Sequence, residues 1–392
     1  MENLYNTFRT RLSLTPMGYV RSFHDRVNWN NRFICIVGQK GVGKSTLLLQ
    51  HIRNYENLDE TLYVSADNIY FAGHTLYDLA GQFYRLGGKR LYIDEIHKYK
   101  GWSTEIKNMY DDYPTLGVIY SGSSLLAISK GNKADLSRRT REYTMPGLSF
   151  REYLNIRLGW SLKTATMEEI LKGKVDFPFG EERPIKYYND YCKMGFYPFF
   201  KEEDASVKLQ QAILSTIEDD IPTCAEMTVA ATAKLKKLMY ILAKSCPVKP
   251  NYDGLGRDLS ISRNIIPDYI AYLEKSGLFN ALREPGHSDN LLAKAEKLYL
   301  GNSNIAYSIS EDGIIDDGNM RETNFLSWMK QVHSVTSSKI SDFEIDGLTF
   351  EVGGKSKKGK QIKNAATGYL VKDNLEFSSG NSIPIWMFGF IY

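Results

Sequence analysis

The segment Gly38-Gln39-Lys40-Gly41-Val42-Gly43-Lys44-Ser45-Thr46 fits the spacing GxxxxGK[ST] and lies between an apolar run, Phe33 to Val37, and an amphipathic stretch, Ser45 to Asn54. A strand, this loop and a helix, in that order, are the context in which the spacing carries chemistry. Glycines at 38, 41 and 43 let the backbone turn its N–H groups around a phosphate, and a helix starting near Lys44 adds its positive N-terminal end. Lys44 then neutralises β- and γ-phosphates, and the Ser45 hydroxyl, with Thr46 beside it, serves as a ligand for Mg²⁺. A glycine-rich turn without a ligand is the competing reading.

Further along, Leu91-Tyr92-Ile93-Asp94-Glu95 reads as a buried strand ending in two carboxylates, at the strand end where open parallel sheets bind ligands. Asp94 suits an Mg²⁺ site, and Glu95 can orient and deprotonate an attacking water. A solvated acidic helix cap is the alternative. The next apolar run, Val118 to Ser121, leads into Gly122-Ser123-Ser124, which brings the Ser121 hydroxyl to a neighbouring strand end where it can sense a γ-phosphate, unless this is a plain turn. Arg138 and Arg139, in Leu136-Ser137-Arg138-Arg139, carry guanidinium groups of the kind transition-state charge attracts, from the same or an adjacent subunit. A solvated basic segment fits them as well.

A second set of groups lies toward the C-terminal end. Asp346-Gly347, between Asp342-Phe343-Glu344-Ile345 and Leu348-Thr349-Phe350-Glu351-Val352, is the two-residue signal of a type I′ hairpin. Pairing 345 with 348 sets Asp342 opposite Glu351, their Cβ atoms about 5 Å apart and able to share one divalent cation. Glu322, on the preceding helix, offers a third oxygen. Lys355 shares the face by alternation and reaches the acids if Gly353-Gly354 bulges or folds back. A solvated acidic hairpin is the alternative. The run Lys355, Lys357, Lys358, Lys360 and Lys363 suits either the phosphates of DNA or a solvated loop.

These groups need a scaffold. Apolar runs at Phe33 to Val37, Thr61 to Ser65, Arg90 to Asp94, Gly117 to Ser121 and Glu142 to Met145 predict strands, with helices over Ser45 to Asn54, Leu76 to Leu86 and Ser103 to Tyr110 between them. That alternation predicts a parallel α/β sheet over residues 1–150. Residues 151–230 read as a helical lid or connector. Within 231–300, helices over Lys234 to Lys244, Leu255 to Leu259 and Asn264 to Ser276, then runs Leu278 to Arg283 and Lys297 to Leu300, have the make-up of a winged helix. Its mixed face, with Asp268 and Glu274 beside Arg263 and Lys275, disfavours groove reading and leaves a protein partner or interdomain packing open. Residues 301–392 read as a separate α/β domain.

Composition narrows the classes. The 392 residues are 43% hydrophobic and 24% charged, which excludes a mainly disordered or fibrous chain and allows several cores. Lys+Arg 49 against Asp+Glu 46 leaves +3, so any basic surface is local. Cys35, Cys192, Cys224 and Cys246 lie far apart without a paired CxxC, which writes neither a zinc site nor a disulfide framework and suits a reducing, cytoplasmic setting. The start has no secretory pattern, and no apolar stretch is long enough to span a membrane.

Together the loop, the Asp94-Glu95 pair, Ser121-Gly122-Ser123, Leu136-Ser137-Arg138-Arg139 and Leu148-Ser149-Phe150-Arg151-Glu152-Tyr153-Leu154 resemble prokaryotic AAA-type ATPases, of the group carrying a winged helix and a C-terminal restriction-endonuclease-like domain. The resemblance implies an ASCE-type P-loop ATPase core in which the Ser121 strand is inserted between the P-loop strand and the Asp94 strand, with ATP and Mg²⁺ as cofactors. It leaves oligomer formation open. The Asp342, Glu351 pair resembles the PD-(D/E)XK nuclease constellation, whose lysine normally follows the second acid by two positions; Gly353 stands there. A degenerate nuclease fold and an ATP-gated nuclease both follow from that resemblance. A nucleotide-switched protein-interaction module is the rival to an ATPase acting on DNA.

Overall fold

The computed structural model describes the whole chain except residues 128–135, 287–292, 311–315 and 366. Five short strands form one parallel sheet: β1 (Phe33–Gly38), β2 (Thr61–Ser65), β3 (Arg90–Asp94), β4 (Gly117–Ser123) and β5 (Arg141–Thr144), in the order β2-β3-β4-β1-β5. The first four are buried almost throughout, as strands covered on both faces must be, whereas β5 is an edge strand rich in charge. Helices α2 (Lys44–Tyr55), α3 (Leu76–Arg85) and α4 (Trp102–Asp112) cross over between strands. Observed ends of these strands and helices fall within two residues of those predicted. An additional helix, α1 (Glu2–Ser13), buries Leu4, Phe8 and Leu12, which share a face through their i, i+4 spacing. β4 sits between β1 and β3, the insertion that the resemblance implies.

The chain divides into two compact units. One comprises Met1–Pro146 with Glu218–Thr228, and the other Gly147–Ile217 with Val229–Tyr392. The expected segments 151–230, 231–300 and 301–392 all fall in the second unit, apart from Glu218–Thr228. The predicted lid is rich in aromatic residues, and an aromatic face is stable only when buried. Phe150, Tyr153, Ile170 and Tyr188 belong to the same core as Trp328, Phe343, Phe350, Trp386 and Phe388.

Within the second unit, helices Val229–Ser245, Tyr252–Leu259 and Ile266–Lys275 precede an antiparallel pair, β6 (Phe279–Leu282) and β7 (Lys297–Leu300). Residues 287–292, in the expected wing, lie outside the described residues. Helix Asp317–Met329 then leads to a mixed sheet of β8 (Val335–Ser337), β9 (Phe343–Ile345), β10 (Leu348–Gly353), β11 (Gly368–Lys372) and β12 (Ser382–Pro384). Here β8, β9 and β10 pair antiparallel and β10, β11 and β12 parallel. The hairpin has the predicted register, Ile345 against Leu348, and its two turn residues carry the positive φ of a type I′ turn, 51° at Asp346 and 78° at Gly347. Among the described residues no helix is long and apolar enough to cross a membrane.

Candidate active site

The phosphate loop starts where β1 ends. A Cβ at Gly38 would lie 2.5 Å from the carbonyl oxygen of Met145, so only glycine allows β1 and the chain after β5 to approach this closely. Gly41 (φ 85°) and Gly43 (φ 97°) take left-handed backbone, which turns the chain into α2 at Lys44. Lys44 is 6% exposed and its Nζ donates to the carbonyl oxygens of Gly38 and Gln39, both at 2.9 Å. Burial pushes this ammonium below its usual range, while the charges of Glu95, Asp94 and Asp220 pull it back up. Ser45 and Thr46 stand in the first turn of α2.

Asp94 ends β3 at 3% exposure. Its Oδ2 accepts from the Tyr63 hydroxyl at 2.6 Å and its Oδ1 from the Ser121 hydroxyl. The strands on either side of β3 thus fix the carboxylate, and a fully buried Ser121 acts as its anchor. The Glu95 backbone is left-handed (φ 53°), and its N–H donates to Asp94 Oδ1 at 3.1 Å. Strain of this kind at a polar strand end marks a position that the surrounding structure holds on purpose. The Glu95 side chain keeps 30% exposure.

Three groups not predicted from the sequence complete the cluster. His97 Nδ1 accepts from the Ser123 N–H at 3.2 Å, and its Nε2 lies 3.5 Å from Glu95 Oε2 and 3.7 Å from Asp220 Oδ1. Asp220, 3% exposed, also accepts from Lys98 Nζ at 2.7 Å and lies 3.7 Å from Lys40 Nζ within the phosphate loop. Burial raises the Asp220 carboxyl, but His97, Lys98 and Lys40 more than offset this and hold it well below the usual carboxylate range. His97 was visible beside Asp94-Glu95. Asp220, in Glu218-Asp219-Asp220-Ile221-Pro222, carries no local signal of its distant partners.

Residues 30–154 match the family model of the AAA domain. The matched segment contains the loop, Asp94, Glu95 and His97, and residues 185–313 match a second model, described as a domain of unknown function. An uncharacterized protein of Methanocaldococcus jannaschii is 26% identical over 294 residues, which are 69% of this chain and 61% of that relative. This chain therefore spans about three fifths of the relative's length. Similar solved structures include AMPPCP-bound DnaA from Aquifex aeolicus, at 13% identity and TM-score 0.27 over 70% of this chain and 87% of that one. The Hsp104–ADP complex of S. cerevisiae gives 17% identity and TM-score 0.28 over 70% and 40%.

Of the two candidate arginines, Arg139 forms a two-pronged ion pair with Asp111 (3.1 Å for each bond) at the end of α4, which occupies its guanidinium, and Arg138 is exposed. The C-terminal acids differ from expectation in two ways. Glu322 Oε2 accepts from Lys297 Nζ at 2.7 Å and from the Tyr299 hydroxyl at 2.9 Å, and no group of three or more His, Cys, Asp and Glu side chains among the described residues can hold a metal. Glu322, Asp342 and Glu351 therefore do not form the three-oxygen site. Nor does Lys355 reach the acids: it is exposed, and Lys357 lies there instead. Lys357 Nζ is 3.4 Å from Glu351 Oε1 and 3.9 Å from Asp342 Oδ2, and donates to the Val352 carbonyl at 3.1 Å. Its methylenes cross Gly353, where a Cβ would come within 2.2 Å of Lys357 Cδ. Burial and the nearby charge of Glu322 raise the Asp342 carboxyl, and the Val352 N–H, donating to it at 2.8 Å, lowers it again.

Proposed function

We propose that the AAA unit binds Mg·ATP and hydrolyses it, and that the second unit uses this cycle to act on DNA. The observation that carries the reading is the buried Lys44 ammonium, held at the mouth of a loop that only glycines permit and within the electrostatic reach of Asp94 and Glu95. The bound nucleotide supplies the phosphoanhydride, and Mg²⁺ neutralises its charge. Residues Gly38, Gly41, Gly43, Lys44, Ser45 and Thr46 would hold the phosphates, Ser45 and Asp94 would hold the metal, and Glu95 would take the proton of the attacking water. Lys44→Ala should abolish nucleotide binding. Glu95→Gln should bind as the parent does and turn over at least about 100-fold more slowly, because an amide holds water but cannot accept its proton. Parental turnover in Glu95→Gln would remove Glu95 from its role.

DNA enters through the exposed lysines Lys355, Lys358, Lys360 and Lys363 and the winged-helix make-up of residues 229–300. Phosphate contacts predict little sequence preference and an affinity that falls steeply with salt. Replacing Lys355, Lys358 and Lys360 together with Glu should flatten the salt slope; an unchanged slope favours a nucleotide-switched module that binds protein partners. The nuclease reading is disfavoured by one observation: the Lys357 ammonium already faces both acids, and with Glu322 engaged elsewhere a metal finds only two carboxylates. We read the C-terminal sheet as a binding fold that does not cut.

A further inference from the structure

His97 has a feature that water activation by Glu95 alone does not explain. Its side chain is 2% exposed, and its Nε2 has no hydrogen-bond partner among the described residues. Because Nδ1 accepts the Ser123 N–H, the ring N–H is the one on Nε2. That N–H points between two carboxylates, Glu95 Oε2 at 3.5 Å and Asp220 Oδ1 at 3.7 Å, both beyond the 2.7–3.2 Å of an N–H···O bond. A movement of about half an ångström completes either one. A buried N–H left unmade carries its full desolvation penalty, so the arrangement favours closing a bond.

The far side of this arrangement belongs to a special piece of chain. Asp220 lies on Glu218–Thr228, which is part of the nucleotide unit although the residues on either side belong to the other unit. Its carboxylate faces Lys40 of the phosphate loop, Lys98 and His97. One carboxylate is therefore tied to the loop through Lys40 and to the water-activating glutamate through His97.

We propose that His97 is a positioning residue for Glu95, and that Asp220 holds the imidazole in place, so that the segment Glu218–Thr228 sets how firmly Glu95 is oriented. The inference rests on the ATPase reading. Asp220, His97 and Glu95 act in series: the ring is anchored by the Ser123 amide, steadied by Asp220, and presents Nε2–H to Glu95. Groups acting in series show non-additive losses when removed.

The test uses the full chain, with parent, His97→Leu, His97→Gln, Asp220→Asn and the double variant His97→Leu, Asp220→Asn. ATP turnover and the Kd of a fluorescent ATP analogue are measured for each. We expect His97→Leu to lose about 10-fold or more in kcat, as removal of an orienting partner does, with Kd within about twofold of the parent. His97→Gln should recover part of the loss, since its amide can donate to Glu95. Asp220→Asn should lower kcat by less, and should add nothing in the His97→Leu background. In the nucleotide-free protein, nitrogen-15 spectra should report the Nε2–H tautomer of His97 and a shift of that resonance in Asp220→Asn. Parental kcat in His97→Leu, a Kd that worsens as much as kcat, additive losses in the double variant, or an Nδ1–H tautomer would each overturn the proposal. If His97→Leu does not fold, the decision passes to Asp220→Asn: a kcat loss at unaltered Kd supports the proposal and parental kcat overturns it. Failure of the ATPase reading is a separate result, seen as a parent chain that does not turn over ATP.

Discussion

The Ser121 hydroxyl donates to Oδ1 of Asp94 from the adjacent strand, while Tyr63 donates to Oδ2 from the strand on the other side. Neither carboxylate oxygen depends on solvent for orientation. Ser121→Ala and Tyr63→Phe should each destabilise the protein by about 1 kcal/mol, the net worth of one hydrogen bond. Both should weaken nucleotide binding in Mg²⁺ more than in EDTA if the loosened Asp94 carboxylate holds the metal as proposed. Titrations with a fluorescent nucleotide under the two conditions measure the difference, and equal losses would place Asp94 outside the metal site.

Gly38→Ala should abolish nucleotide binding and lower stability by roughly 1–3 kcal/mol, since the new methyl meets the Met145 carbonyl at 2.5 Å and the backbone must move. Gly73→Ala is the matched control, with nothing within 4 Å of its Cβ, and should be nearly neutral. Thermal unfolding with and without nucleotide separates the two variants.

Asp220 is a carboxylate whose pKa is depressed in the folded chain, so the sign of its pH effect is fixed. The stabilisation is fully present above the unfolded value, about 3.9, and is lost as pH falls below that toward the folded value. Asp220→Asn should cost about 2 kcal/mol at pH 7 by removing the carboxylate that Lys98 and Lys40 face. The gap between parent and variant should stay level from about pH 7 to 5 and narrow below about pH 4. Denaturant titrations across that range give the gap directly, and a gap that widens on acidification would contradict the ion-pair account.

Lys357→Ala should destabilise the second unit by about 2 kcal/mol, because Glu351 is 2% exposed and its Oε2 has no hydrogen-bond partner among the described residues. Mn²⁺ should restore part of that loss in Lys357→Ala and shift the parent little, since the cation replaces the missing ammonium between Asp342 and Glu351. Melting curves at several Mn²⁺ concentrations show whether it does, and a parent stabilised as strongly as the variant would mean that Lys357 does not fill the cation's place.

Local pattern carried much of this molecule and distant pairing did not. Four strands of the first unit were legible because they are runs of apolar residues, and the I′ hairpin because Asp346-Gly347 admits few other conformations. The position of β4 beside β3 is a non-local fact that came only through resemblance. Lys357 was missed in favour of Lys355 because strict alternation assumes continuing strand, and the chain after Gly353 turns back over itself. The shared core of Phe150 and Trp386 was missed for a similar reason. An aromatic helix advertises that it needs a partner and not which partner, and these two residues lie at opposite ends of the second unit's sequence.

The detour of Glu218–Thr228 into the nucleotide unit has a consequence for how this protein can be divided. A fragment ending at Pro146 keeps every residue of the phosphate loop, Asp94 and Glu95, yet leaves Lys40, Lys98 and His97 facing a place where Asp220 should be. The second unit is likewise not one uninterrupted stretch, because excising it carries the detour along. Neither half is a cassette that a single cut could move to another protein, and a recombination that replaced one would have to replace a piece of the other with it.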